Sequence, residues 1–220
     1  SAPSRHMVAS TSRPDRAAEL GIVPENVFPM WDWVGGRFSL WSVIGLPVAM
    51  AVGMDRFEAL LDGAWAMDRH FREAPLERNM PVLLGLLGVW NTNVLGAPAW
   101  ACLPYDQHLC HLPAYLQQLE MESNGKRTQR HGTELQRHSA AIVFGEAGTT
   151  GQHSFYQLLH QGTRVIPADF IAAAEPSHGL EEHHVMLLSN CLAQSEALML
   201  GCTQDEAAAR LRAQGASEEV

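Results

Sequence analysis

The chain has little cysteine: four residues in 220, Cys102, Cys110, Cys191 and Cys202, none in a Cys-x-x-Cys pair. That excludes the usual zinc spacings and a small disulfide scaffold, and suits a reduced, cytoplasmic protein. Long apolar runs are missing as well. The longest strongly apolar stretch, residues 80–87, is too short to cross a bilayer, so no membrane partner is expected. Residues 1–16 are polar and proline-containing, without the apolar stretch a secretory signal needs, and residues 1–7 are set aside from functional argument. Positive charge is scarce too. Lys and Arg total 15 against 24 Asp and Glu, giving a formal charge of -9 and a pI near 5.6. This argues against nucleic acid as a partner, because a phosphate backbone calls for a basic face. A small anionic ligand needs only a local cluster of donors and stays open. No internal repeat or low-complexity segment is present. What remains is an ordinary globular composition, long enough for one large domain or two small ones with a sizeable core.

The pattern along the chain changes near residue 98. Before it, 23–29 reads as a loop, and 38–54 as a buried helix starting near Ser39 or Ser42 and bent at Pro47. Residues 57–71 carry Phe57, Leu60, Leu61, Ala64, Trp65, Met67 and Phe71 at helical spacing. Pro75 opens a further helix reaching Asn91, with Val82, Leu83, Leu86, Leu87 and Trp90 expected inside. After it, short strands at 100–103, 140–144 and 165–172 alternate with helices at 114–119, 152–160 and 182–200. Residues 124–136 read as a polar surface excursion. Thr203 caps a last helix through Arg212, with Glu206 at capping-box spacing. The alternation predicts an α/β fold with a parallel, three-layer sandwich in the second half.

Four features can carry chemistry. In Trp31-Asp32-Trp33-Val34-Gly35-Gly36-Arg37-Phe38-Ser39-Leu40-Trp41-Ser42, two glycines allow a sharp turn or close approach of a ligand, and Arg37 is a fixed cation. By itself the run equally fits a turn whose arginine pairs with a core aspartate. In Gln117-Gln118-Leu119-Glu120-Met121-Glu122-Ser123-Asn124-Gly125-Lys126, a helix ends in Ser-Asn-Gly. A partly buried carboxylate there could serve as a base; a solvated helix-end residue is the plainer reading. Phe144-Gly145-Glu146-Ala147-Gly148-Thr149-Thr150-Gly151-Gln152-His153 joins a strand to a helix through a glycine-rich loop. It offers backbone N–H groups to an anion, or is a tight connection, and lacks the Gly-Lys-Ser/Thr ending of a P-loop. The histidines make no metal set. His183 and His184 point to different helix faces, and His108 and His111 have no evident third ligand, so neither metal nor cofactor is predicted.

These blocks resemble those of the glucose-6-phosphate isomerase (phosphoglucose isomerase) family. Gly35, Gly36 and Arg37 match, as does Met121-Glu122-Ser123-Asn124-Gly125-Lys126. The glycine-rich loop resembles the family's Gly-Glu-Pro-Gly-Thr-Asn-Gly-Gln-His, departing at Ala147 and Thr150. Further matches include 66–71, 103–107, 155–162, 188–190 and 193–198, so the similarity runs from about Val8 to Gly215. The resemblance implies isomerisation of glucose 6-phosphate to fructose 6-phosphate, in glycolysis and gluconeogenesis, without a cofactor. Glu122 would move a proton between C1 and C2 through a cis-enediol, Arg37 would stabilise the intermediate's charge, and His153 would open the ring. Gln118, Gly35 and Gly36 would contact the phosphosugar substrate. Glu122 and Arg37 should then converge on one pocket. The family's active site is shared across a homodimer, which implies His153 donated to the partner subunit and remote from Glu122 within one chain.

Family members are more than twice as long. They carry an upstream serine- and threonine-rich phosphate-binding region, of which only Ser10 and Thr11 hint here, and a later lysine-bearing block. The chain is therefore expected to be a central segment: 1–54 as the tail of a first sugar-isomerase domain, 55–97 as a helical connection, 98–202 as most of a second such domain, and 203–220 as a truncated helical extension. On its own it is expected to be inactive. Two other readings are a phosphosugar-binding module without catalysis and an inert, stably folded fragment.

Overall fold

Strand, helix and strand follow one another in the second half because short β-branched or aromatic runs are cut by glycine loops. A computed structural model describes residues 6–215. The first five of the residues set aside above, and the last five of the expected 203–220 extension, lie outside the described residues. The chain divides into two compact units, Ser1–Leu87 and Gly88–Val220.

In the first unit, strand β1 (Ala9–Thr11) is followed by helix α1 (Pro14–Glu19) and pairs in parallel with β2 (Val27–Pro29). The 23–29 loop is thus a 3-10 turn, Pro24–Asn26, leading into a strand. Residues 36–45 form two 3-10 turns in place of the expected start of a long helix. Helix α2 (Leu46–Val52) begins with Pro47 in its first turn, where a missing N–H costs nothing, so proline starts the helix instead of bending it. Gly53, at φ +86°, separates α2 from α3 (Met54–Glu73). After a 3-10 turn at Leu76–Arg78, α4 (Met80–Asn93) runs across the boundary between the units. Asn79, 2% exposed, fixes the α3–α4 joint: its amide donates to the Phe71 and Ala74 carbonyls, and its side-chain oxygen accepts from Val82 N–H. Helix α3 falls where the spacing puts it, whereas the helix expected to open at Pro75 starts at Met80, behind the 3-10 turn that Pro75 leads into. The apolar stripes of both are not inside. Leu60, Trp65, Met67 and Phe71 of α3, and Leu83, Leu86, Leu87 and Trp90 of α4, are exposed; Phe57 is the buried member of the α3 set.

In the second unit, β3 (Ala99–Tyr105) is central in a parallel sheet of order β4-β3-β5, with β4 at Ile142–Phe144 and β5 at Ala168–Ala172. Between β3 and β4 lie α5 (Leu112–Leu116) and a π-turn, Gln117–Glu122. Between β4 and β5 lie α6 (Gly148–Ser154) and α7 (Tyr156–Gln161); α8 (Glu181–Leu200) and α9 (Gln204–Ala213) follow. Along β3, residues 101, 103 and 105 share one face and 102 and 104 the other, and all five are fully buried. A strand covered on both faces is the middle layer of a three-layer α/β fold. Ala101, Leu103 and Tyr105 pack with Tyr156 and Cys191, and Phe144, Phe155, Phe170 and Leu187 close around them. The expected 152–160 helix is two helices, broken at Phe155 (φ -139°, ψ 0°). The break sets Phe155 edge-on to Phe144 at 5.1 Å and sends Tyr156 inward. The Thr203–Glu206 capping box is formed, with mutual side-chain-to-backbone hydrogen bonds.

Candidate functional site

Glu122 is the carboxylate on which the motif argument turns. Its helix leaves α5 and widens into the π-turn, a form that recurs at functional sites. The edge of the sheet holds that turn. Gln117 Nε2 donates to the Val143 carbonyl at 3.1 Å, and Val143 N–H donates to Met121 Sδ at 3.4 Å. β4 is an edge strand, so these side chains satisfy backbone groups that have no neighbouring strand. The far end closes on Gly125, whose N–H donates to the Met121 carbonyl. A Cβ at Gly125 would lie 2.1 Å from that oxygen, so the block needs glycine there. Lys126 donates to the Glu122 carbonyl. Held this way, Glu122 stays on the surface, and Gln118 Nε2 donates to its Oε2 at 3.1 Å. The two acidic-block residues singled out by sequence, Gln118 and Glu122, are therefore in contact, one helical turn apart. A carboxylate offered to solvent with one oxygen oriented by an amide is equipped to accept a proton from a bound molecule.

His153 stands on α6, just beyond the glycine-rich loop, with its ring exposed. The loop is close-packed on β3. Gly145, at φ +158°, passes so near the Cys102 carbonyl that a Cβ would lie 1.8 Å from the oxygen, and a Cβ on Gly148 would lie 2.4 Å from the Tyr105 ring. These glycines are therefore explained by packing.

Gly35, Gly36 and Arg37 belong to the first unit. Arg37 is half-buried in the 3-10 turn Gly36–Trp41, with its guanidinium carbon 5.9 Å from the Phe38 ring centroid. Phe38 N–H donates to the Gly35 carbonyl, and Ser39 Oγ to the Gly36 carbonyl at 2.6 Å. Neither glycine has a positive φ, so the 3-10 turn here does not itself require glycine. A Cβ on Gly36 would meet nothing within 4 Å. Unlike Gly145 and Gly148, this pair is not demanded by the fold, and leaves open space beside the arginine backbone.

Among the histidines, His183 is exposed and His184 buried, as opposite helix faces require, and His184 Nε2 has no hydrogen-bond partner. His108 Nδ1 lies 3.2 Å from Asp106 Oδ1 and 3.4 Å from Ser177 Oγ. Among the described residues, no group of three or more His, Cys, Asp or Glu could hold a metal, and no helix is long and apolar enough to cross a membrane. Spacing arguments passed over Gln117 and Met121, which fasten the Glu122 turn, and Gln152 and Tyr105, which hold α6. All four lie inside or beside the motif blocks. No local periodicity marks them, because their partners are distant in sequence.

A parallel sheet between helical layers, with a surface carboxylate hydrogen-bonded by an amide before its edge strand and an exposed imidazole after it, defines an α/β protein. Comparison with known proteins makes this specific: the model of the phosphoglucose isomerase family matches residues 1–219, and the chain belongs to that family. It is 58% identical to the glucose-6-phosphate isomerase of Methylococcus capsulatus over 220 residues, all of this chain and 40% of that protein. It is 56% identical to the enzyme of the same name from Saccharophagus degradans over 216 residues, again 40% of that protein. The chain thus spans about 40% of the length of the curated relatives it matches. A crystal structure of a glucose-6-phosphate isomerase from Chlamydia trachomatis superposes with a TM-score of 0.79 at 38% identity, covering 88% of this chain and 39% of that one. A hypothetical protein from Thermus thermophilus, TT0462, superposes at 0.64 with 27% identity, covering 89% of this chain and 49% of that one.

Proposed function

We propose that this chain carries proton-transfer residues of an aldose–ketose isomerase that interconverts glucose 6-phosphate and fructose 6-phosphate. Glu122 is the base: it takes the C2 proton, leaving a cis-enediol, and returns it to C1. Arg37 stabilises the negative charge that develops on the enediolate oxygens. One well-placed donor of this kind is commonly worth about 3–4 kcal/mol. His153 transfers a proton at the ring oxygen as the sugar opens. An imidazole suits this step because its ordinary pKa is roughly 6.5. Gln118 orients Glu122 and, with Gly35 and Gly36, contacts the sugar. The working form is a cytoplasmic homodimer in which His153 serves the partner subunit's site, and the isolated 220-residue chain is inactive. The segment division at 54, 97 and 202 belongs to the same proposal.

The observation that carries this reading is the Gln118–Glu122 contact at 3.1 Å on a π-turn locked to β4, inside the block that resembles the family's proton-transfer glutamate. The test exchanges these 220 residues for the matching stretch of the Methylococcus capsulatus isomerase and follows turnover in a coupled assay. Glu122→Gln should lower kcat by about 10²–10⁴-fold, the usual weight of a positioned base. An active chimera indifferent to Glu122→Gln would remove Glu122 from the reaction. A thermal-shift titration of the isolated chain with fructose 6-phosphate addresses the second reading: a rise in Tm with no turnover from the chimera would mark a binding module, since only a ligand preferring the folded state stabilises.

A further inference from the structure

We propose that Gln152, through the buried hydroxyl of Tyr105, is a positioning residue for His153; the inference rests on the isomerase reading for its purpose. Helix α6 has seven residues, Gly148–Ser154. A helix this short is not stable alone, so its direction is set by what it is tied to. Its ties sit on the two neighbours of His153. On one side Gln152 Nε2 donates to Tyr105 Oη at 2.9 Å. On the other, Ser154 Oγ donates to Glu146 Oε2 at 3.1 Å.

The Gln152 tie is the one that reaches the core. Tyr105 is 1% exposed at the end of β3, and its hydroxyl lies 2.9 Å from that of Tyr156, itself 3% exposed at the start of α7. The Tyr105 ring also fills the space a Cβ of Gly148 would need. One side chain therefore touches the first turn of α6 with its ring and the last turn with its hydroxyl. Burial, and then the hydrogen bond to Tyr105, push the Tyr156 hydroxyl well above the ordinary tyrosine range, so Tyr156 stays protonated beside the anchor. Residues 152 and 153 are about 100° apart around a helix, so fixing Gln152 inward turns His153 outward, where it is found exposed. A proton-transferring imidazole has to lie within hydrogen-bond reach of its target, and this anchor limits where the ring can be.

The test is backbone ¹⁵N relaxation on the 220-residue chain. Gln152→Met keeps the length and removes the donor. The His153 order parameter should fall from a rigid value near about 0.85 to below about 0.6, while the Leu103 and Val143 amides keep their exchange protection. Gln152→Glu should restore order, because Tyr105 O–H can then donate to the carboxylate. Tyr105→Phe keeps the ring against Gly148, removes the acceptor, and should reproduce the loss; it carries the test if Gln152→Met does not fold. An unchanged His153 order parameter would overturn the inference. So would a loss of order shared with Leu103 and Val143, which would make the bond one stabilising contact among many. The measurement needs no turnover, so it fails separately from the isomerase reading, which depends on Glu122.

Discussion

The sheet around β3 in the second unit and the helices α3 and α4 use the same residue types in opposite ways. Around β3, apolar side chains are enclosed on both faces: Leu103 is 0% exposed and Val143 1%. In α3 and α4 a comparable supply of leucine, tryptophan and methionine lies outside: Leu84 is 61% exposed and Trp65 60%. Trp31 and Trp33 stack on each other at 6.0 Å between centroids while remaining exposed. An apolar stripe at helical spacing says that a face favours leaving water; it does not say what covers it. Around β3 the chain supplies its own cover, because a parallel sheet brings distant segments together, while α8 of the same unit leaves Leu192 and Met199 exposed. The first unit's helices display theirs.

The sharpest way to break this contrast is to place the same methyl group in each unit. Gly145→Ala would set a Cβ 1.8 Å from the Cys102 carbonyl, at a φ of +158° that L-residues avoid. Loss of more than about 4 kcal/mol is expected, enough to prevent folding of the second unit, read from denaturant midpoints. Gly63→Ala, in α3, meets nothing within 4 Å. It should stabilise by roughly 0.5–1 kcal/mol through helix propensity alone. Similar responses at both positions would show that the loop after β4 relaxes freely and that the close packing has no energetic weight.

Next in size is the pair Leu103→Ala and Leu84→Ala. Leu103 is fully buried in the core cluster and sits opposite Phe170 of β5, so its truncation should cost about 2–5 kcal/mol. Leu84 is mostly exposed and should cost under about 0.5 kcal/mol. Equal losses would mean that the α4 face is covered in solution. Sedimentation at several concentrations would then identify self-association, because stability and mass would rise together.

Much of this architecture is legible in the sequence where the determinant is local. Thr203 and Glu206 announce their capping box, the body of α3 follows from the 57–71 spacing, and α8 follows from spacing up to Gly201. The break at Gly53 is not legible in that way, since the apolar run 38–54 passes through it. What is lost depends on remote partners. Val27–Pro29 looks like a loop because three residues ending in proline form a strand through pairing with Ala9–Thr11. The Phe155 break accompanies an edge-on contact with Phe144 of β4, which helical spacing does not announce. The π-turn at Gln117–Glu122 differs from an α-helix by a register that Val143 enforces from the edge of the sheet. Motif resemblance points to Glu122, Gln118, His153 and Arg37 without saying how each is held. The first three share a unit, and within it Gln118 hydrogen-bonds Glu122.

The smallest expected effect concerns a charge beside the enclosed strand. Asp169 lies beside Cys102 across β3 and β5 and accepts from Trp100 Nε1 at 2.9 Å. Burial raises its pKa above the ordinary carboxylate value, and the Trp100 hydrogen bond only partly opposes this. The same burial, with the nearby aspartate, pushes the Cys102 thiol up to about 11, so Cys102 remains protonated and offsets no charge. The folded state therefore holds the Asp169 proton more tightly than the unfolded chain does. Stability from this group is fullest below the unfolded value, 3.8, falls as pH rises through the folded value, and is flat above it. Asp169→Asn keeps an acceptor for Trp100 and has no such slope. Relative to the parent it should gain stability, by under about 1.5 kcal/mol at pH 7, with the gain shrinking toward pH 4 in urea midpoints. A difference that stays constant with pH would show that Asp169 is solvated despite its position, and the sheet would then be as open at that edge as the helices of the first unit.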